Sequence, residues 1–505
     1  MLRSIGIVLL LVVLQARGQG GRIEVLHADS WEFDEALQQQ AQRLKGAVRF
    51  KHADAIMSCD SAWLFEDQTV DAYSSIRIIQ GDTLLITGDR LRYSASDKIA
   101  ILEGKVRLED PGSTLGTNHL VHDLNGGRVT YSDGGRIVSK QQGDTLTSRQ
   151  GTYLTGQKRF IFSNDVVLRH PERTIRSDSL HYLTGPGIVE FHGPTTIEQE
   201  GSRISCVRGT YDTHNRFAQF SGRAKVDSDG QTLIGDSLTY DAGSGEGKAW
   251  GNVMAEDTAN GTLVLGAYGA HSRRSGRSLV TGRAEMRMKA GEDTLFLHAD
   301  SLFAIPDSAG ERMILARRGV RFFKSDLQGA CDTLIYFRTD STIRMFHMPV
   351  LWSGNDQITG RHIRILLADG QVHRLFVDQD ALMVSRVDSI RFDQVTGRSM
   401  TGVFVRGEID HILSEGNSRT VYFAQEEKDG VRTIVGVNRA DCSKLRVNMA
   451  DGEVATVTFL TEPDAVMYPL EKIPPDELVL TGFQWRADER PVDRSDIFRN
   501  SDELP

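Results

Sequence analysis

A small residue followed by Asp-x-Leu-x-Tyr returns along this chain at a nearly constant interval. Aligned on the aromatic position, the occurrences fall at Phe33, Leu64, Tyr93, His122, Tyr153, Tyr182, Tyr211, Tyr240, His271, Ala304, Tyr336 and Ile365, with spacings of 29 to 33 residues. A fixed period of this length marks a stacked array in which each unit leans on its neighbours. The array takes precedence over the division of 505 residues into independent domains of about 150 residues that length alone suggests.

Each unit has a second half, made of an apolar pair, a turn-type residue and an alternating run. ILEGKVRLED (101–110), FSNDVVLRH (162–170) and FSGRAKVDS (220–228) are examples. The period within these runs is two, which is the pattern of half-buried strands, and no helical period is sustained after the N-terminal segment. Turn signals lie between runs at NGG 125–127, DGG 133–135, SDG 228–230 and SGEG 244–247. The expected fold is all-β, an elongated antiparallel solenoid of about twelve repeats. A unit of this length holds some four segments of roughly five to seven residues, which we expect to divide between two facing sheets.

Four residues before the aromatic stand Asp29, Asp60, Asp89, Asp178, Asp236, Asp300 and Asp332. A carboxylate ladder could bind metal, but Asp at a strand start more often opens a turn or caps backbone amides. Cys59, Cys206 and Cys331 occupy the small position just before it, too far apart along a linear stack to be bridged, and with Cys442 they suggest no disulfide. No CxxC, GxSxG or HExxH motif is present. We therefore expect no metal, no cofactor and no enzymatic activity. The formal charge of −9 argues against a nucleic-acid partner.

The opening MLRSIGIVLLLVVLQARGQG has a basic start, an apolar run and small residues at Ala16 and Gly18. It predicts a cleaved signal peptide over 1–18 and an exported product. The repeat array then covers 19–395. Divergent repeats with longer loops follow over 396–467; the shared turn glycines Gly370, Gly407 and Gly452, 37 and 45 residues apart, mark the lengthened spacing. From 468 to 505 the chain is punctuated by Pro and rich in charge, as expected of an extended tail laid across the last rung.

With its turn Gly, alternating strand, small residue, Asp, Leu and Tyr at this period, the chain resembles the OstA/LptA family of lipopolysaccharide-transport proteins over roughly residues 22–395. EPDAVMYP and IPPDELVLTGFQWRADERP likewise look like the tail of exported OstA-like proteins. The resemblance implies a V-shaped, jelly-roll-like stack (a β-taco) with a lengthwise apolar groove. It also implies a periplasmic bridge that binds lipopolysaccharide or a related glycolipid and carries it toward the outer membrane. Groove-lining candidates are Leu91, Tyr93, Ile101, Val106, Leu108, Tyr153, Phe160, Phe162, Val166, Leu168, Leu180, Tyr182, Tyr211, Leu238 and Tyr240. Implied partners, joined by strand addition, are the inner-membrane complex, the outer-membrane translocon or further copies of the chain. The stretch after residue 467 is too short for a barrel, so a soluble bridge is expected and not the translocon. Two other readings remain: a structural or adhesive solenoid without lipid cargo, and a polysaccharide-acting β-solenoid enzyme.

Overall fold

The computed structural model describes residues 22–33, 41–81, 84–140, 143–183, 185–199, 201–228, 230–307, 310–428, 431–450 and 453–499. Residues 1–18, expected to be a signal peptide, and Gly452 lie outside them. The chain divides into two compact units, residues 1–214 and 215–505, and among the described residues both are built of antiparallel strands with only short 3₁₀ turns besides.

In the first unit the strands are β1 (Glu24–His27), β2 (Ser30–Phe33), β3 (Ala41–His52), β4 (Ala55–Phe65), β5 (Thr69–Gln80), β6 (Leu84–Ser94), β7 (Ile99–Glu109) and β8 (Ser113–Asp123). They continue with β9 (Arg128–Tyr131), β10 (Gly135–Ser139), β11 (Thr145–Ser148), β12 (Gln150–Leu154), β13 (Arg159–His170), β14 (Arg173–Leu183), β15 (Ile188–Gln199) and β16 (Ser202–Asp212). From β3 to β8 each strand pairs with the next, as do β13 to β16. Between them β9 and β10 form the two halves of one line across the sheet, and β12 and β11 form the next.

One repeat is therefore two long strands, each with a corner in its middle. The four segments expected from the sequence are present, but they meet inside strands as often as at hairpins. The corners come in two alternating kinds. In β7 the register slips between Glu103 and Val106, where Gly104 and Lys105 adopt φ of +76° and +47°. Such left-handed residues turn the chain sharply while leaving Leu102 and Val106 on the same buried face. In β6 the corner lies at Gly88-Asp89-Arg90, where the buried positions step from Ile86 across to Leu91. The glycine of ILEGKV, read from sequence as a turn between strands, is thus a mid-strand corner.

The repeated Asp belongs to the second kind of corner and lies against the left-handed residues of the neighbouring strand. A Cβ on Gly104 would stand 2.6 Å from Asp89 Oδ2, and one on Gly251 would stand 2.4 Å from Asp236 Oδ2. Ser75 Oγ donates to Asp60 Oδ2 at 2.9 Å, and Asn252 Nδ2 donates to Asp236 Oδ2 at 2.9 Å. Asp29, Asp60, Asp89, Asp178, Asp236, Asp300 and Asp332 are all exposed, one per corner. Their spacing along the stack keeps them from converging on an ion, and their work is to fill the outside of the bend.

Gly104→Val is expected to destabilise the chain by about 2–4 kcal/mol, combining a forbidden φ with the clash against Asp89. Gly81→Ala, at φ +58° with no atom within 4 Å, should cost only about 1 kcal/mol. Denaturant titration of the two variants checks the difference, and equal costs would contradict the corner assignment.

The inside of the bend carries the small residues. Cys59, Cys206, Cys331 and Cys442 are buried and unbridged, and each pairs with a residue just past a left-handed corner: Val48, Thr195, Val320 and Ser418. The fourth cysteine thus shares the position that the sequence period assigns to the other three. Burial pushes the Cys59, Cys206 and Cys331 thiols up to about 12, 11 and 12, so they behave as inert apolar fillers.

The second unit opens with strands of the same bent kind, with left-handed pairs at Gly222/Arg223, Gly251/Asn252, Gly282/Arg283 and Arg318/Gly319. Toward the C-terminus the extra spacing is taken up by longer strands, Glu408–Lys428 with 21 residues and Val431–Ala450 with 20. The tail does not stop at the last rung. It runs back over the outside of one half of this unit, meeting Gln394, Gln357, Gln328 and Glu285 in turn. Gln394 Nε2 donates to the Leu478 carbonyl and its Oε1 accepts from the Leu480 amide, both at 2.9 Å. Gln357 Nε2 donates to the Gln484 carbonyl at 2.6 Å and its Oε1 accepts from the Arg486 amide at 2.7 Å. Two buried glutamines thereby pair the backbone of an irregular segment as a strand would. Val350 and Trp352 are fully buried within this part of the unit.

Candidate functional site: the inner face of the bent sheet

The aromatic anchors of the repeat form one row across the sheet. In the first unit the directly paired positions run Tyr93, Ala100, His122, Val129, Tyr153, Phe160, Tyr182, Val189 and Tyr211. Because strand neighbours are about 4.8 Å apart, a residue repeated every second strand makes a stripe perpendicular to the strands. The same alternation puts Leu91, Leu102, Val106 and Leu108 on this face, with Arg92, Glu103, Lys105 and Arg107 on the other.

The two halves of the sheet close over one core in the early strands. Leu91, Tyr93, Val106 and Leu108 are buried together with Phe50, Met57, Ile78 and Ile86. His52, at the end of β3, hydrogen-bonds the Tyr93 hydroxyl through Nδ1. Burial, reinforced by the nearby Asp54 charge, pushes the Tyr93 phenol up to about 12.

Farther along, the face opens. Phe162, Val166 and Leu180 are buried, whereas Tyr153, Phe160, Leu168, Tyr182 and Tyr211 are half-buried. In the second unit Leu238 is buried and Tyr240 is 38% exposed. Tyr153 stacks on Phe160 with ring centroids 4.1 Å apart. Burial, with smaller contributions from Asp110 and Asp144 respectively, raises the Tyr153 and Tyr182 phenols, so both are neutral at pH 7, while the Arg173 guanidinium lies over the Tyr211 ring, 5.1 Å from its centroid. Ile101 is placed otherwise: it alternates with buried Ala100 and Leu102 and stands half-buried on the outer face.

Between the walls of the first unit lies a narrow cleft. Leu108, Leu115 and Ile137 form one side, and Val129, Tyr131, Tyr153, Phe160 and Phe162 the other. Its free volume is only about 10 Å³, so an acyl chain enters only if the walls part. Leu115, Val129, Tyr131 and Ile137 are absent from the groove candidates read from the sequence. For Val129, Tyr131 and Ile137 the signal was the short alternation in RVTY and GRIV, divided by the open corner at Ser132–Gly134.

Residues 21–178 match the family described as OstA-like protein. No curated protein matches the chain. Among solved structures the chain is similar to LptH from Pseudomonas aeruginosa, described as the LptA-homologous periplasmic component of the conserved lipopolysaccharide transport device. The identity is 17%, over 22% of this chain and 81% of that one, with a TM-score of 0.21. No helix among the described residues is long and apolar enough to cross a membrane.

Proposed function

We propose that this chain, whose residues 21–178 match the OstA-like family, binds the acyl chains of lipopolysaccharide on its inner face and passes the lipid along as an exported, periplasmic bridge. The observation that carries the reading is the in-register row from Tyr93 to Tyr211, closed at its first members and half-open at Tyr153, Tyr182 and Tyr211. Acyl chains gain about 0.8 kcal/mol for each CH₂ removed from water. A wall that repeats an aromatic side chain, Tyr or His, at every second strand offers them similar sites, so barriers to movement along it are low. Entry begins at the half-buried members of the row, by parting the cleft at Tyr153 and Phe160.

Strand addition is the proposed mode of assembly. Among the described residues β1 and β2 pair only with β3, and their strands expose Leu26, Trp31 and Phe33. A free, partly apolar edge of this kind templates another strand, whether from an inner-membrane component, a translocon or another copy. The role proposed is binding and transfer without catalysis.

The near-absence of free volume in the cleft favours a second reading, a structural array whose inner face is simply core. Titrating the full chain with lipopolysaccharide, and in parallel with its deacylated polysaccharide, separates the two. Saturable binding of the acylated form alone supports the bridge. Binding of neither, by a folded chain, leaves the structural array.

A further inference from the structure

On the outer face of the first unit, away from the apolar row, three metal-ligating side chains meet. His181 in β14 and Glu190 in β15 are directly paired, and His192 lies two residues beyond Glu190 on the same face. Their ligand atoms lie within 4.8 Å of one another. His181 Nδ1 is 3.6 Å and His192 Nε2 3.5 Å from Glu190 Oε2. Around a tetrahedral zinc with bonds of about 2.0–2.1 Å, donor atoms lie roughly 3.3–3.5 Å apart, close to the separation of each histidine from Glu190. The cross-strand pair and the i, i+2 pair are held by the hydrogen-bonded ladder, which supplies the rigidity a metal site requires.

A cation already shares this position. Arg159 Nη2 donates to His181 Nδ1 at 2.6 Å and to Glu190 Oε2 at 3.0 Å. Its Nε is buried without a hydrogen-bond partner, so the guanidinium is only partly satisfied where it sits.

We propose that His181, Glu190 and His192 form a divalent transition-metal site of the zinc class, with water as the fourth ligand, and that the ion enters by displacing the Arg159 guanidinium. The ion joins β14 to β15 on the face opposite Leu180 and Val189, independently of any cargo on the inner face. Calorimetric titration of the full chain with zinc chloride near neutral pH tests the site, with circular dichroism confirming that each variant keeps its strands. The expected result is one ion per chain, at least about tenfold weaker binding in His181→Ala and His192→Gln, and about tenfold tighter binding in Arg159→Ala. Three results would each overturn the proposal: no zinc bound by the wild-type chain, undiminished binding by the double variant His181→Ala/His192→Gln, or Arg159→Ala binding no tighter than wild type. Arg159→Ala separates ligation from mere packing, since removing a purely structural arginine would not tighten metal binding.

Discussion

A chain ending at Tyr468 is expected to lose amide protection throughout the strands of the second unit that the tail covers, Arg277–Ala290 to Val431–Ala450, while β3 to β8 keep theirs. The missing segment buries Ile473, Leu480 and Ile497. Each such side chain is worth about 1.5–3 kcal/mol when fully buried. It also supplies Arg494, whose Nε and Nη2 donate to the two oxygens of Glu285 at 2.9 and 3.0 Å. Burial pushes the Glu285 carboxyl up, but hydrogen bonds from Arg287 and Arg494 and their charges outweigh it and hold the group ionised. Without Arg494 the carboxylate, 5% exposed, keeps only Arg287. Gln357 and Gln394 lose their tail partners at the same stroke. The combined loss should exceed about 3 kcal/mol, read as faster exchange in the second unit. Unchanged protection there would mean that the tail is only draped over a sheet already stable on its own.

Asp356→Asn is expected to stabilise the chain near pH 8, by several degrees in Tm, and to do little near pH 4. Burial pushes the Asp356 and Asp393 carboxyls each up to about 7, against an ordinary value near 4; Asp356 in turn raises Asp393. Ser385 Oγ donates to Asp356, and the Phe423 amide donates to Asp393 Oδ1 at 2.8 Å. The native state holds these two protons up to about pH 7, whereas the unfolded chain releases them near pH 4. Between those values the native state binds more protons, so rising pH favours unfolding. The penalty is complete above about pH 7 and absent below about pH 4. Buried His298, whose pKa is lowered by burial first, pushes the other way as pH rises. The difference in Tm between wild type and Asp356→Asn therefore isolates the carboxyl. A difference that stays constant from about pH 4 to pH 8 would contradict a protonated Asp356.

Much of the fold was legible because the sequence states it many times. The period placed the anchors, the alternation in KVRL and GRAKV set the strands, and SDG and SGEG marked true hairpins. The corners were not legible, because a left-handed pair such as Gly104-Lys105 leaves Leu102 and Val106 on one face and reads as a turn between two strands. Ile101 was misplaced for a related reason: IAIL at 99–102 has no polar residue to show which alternate positions face inward. The tail's course was hidden because its partners, Gln328, Gln357 and Gln394, are polar residues that an alternating pattern assigns to solvent. The His181, Glu190 and His192 cluster depends on a cross-strand register that the sequence does not state.

Site-specific photo-crosslinking in cells tests the inner face most directly, with the reactive residue placed singly at Tyr153, Tyr182, Tyr211, Tyr93 or Asp89. If acyl chains ride the half-open row, lipopolysaccharide adducts form from Tyr153, Tyr182 and Tyr211. They should be absent from buried Tyr93 and from Asp89 on the outside of the corner. Adducts from Asp89 but none from the three half-open tyrosines, with the chain folded, would put the lipid on the wrong face and contradict the proposal.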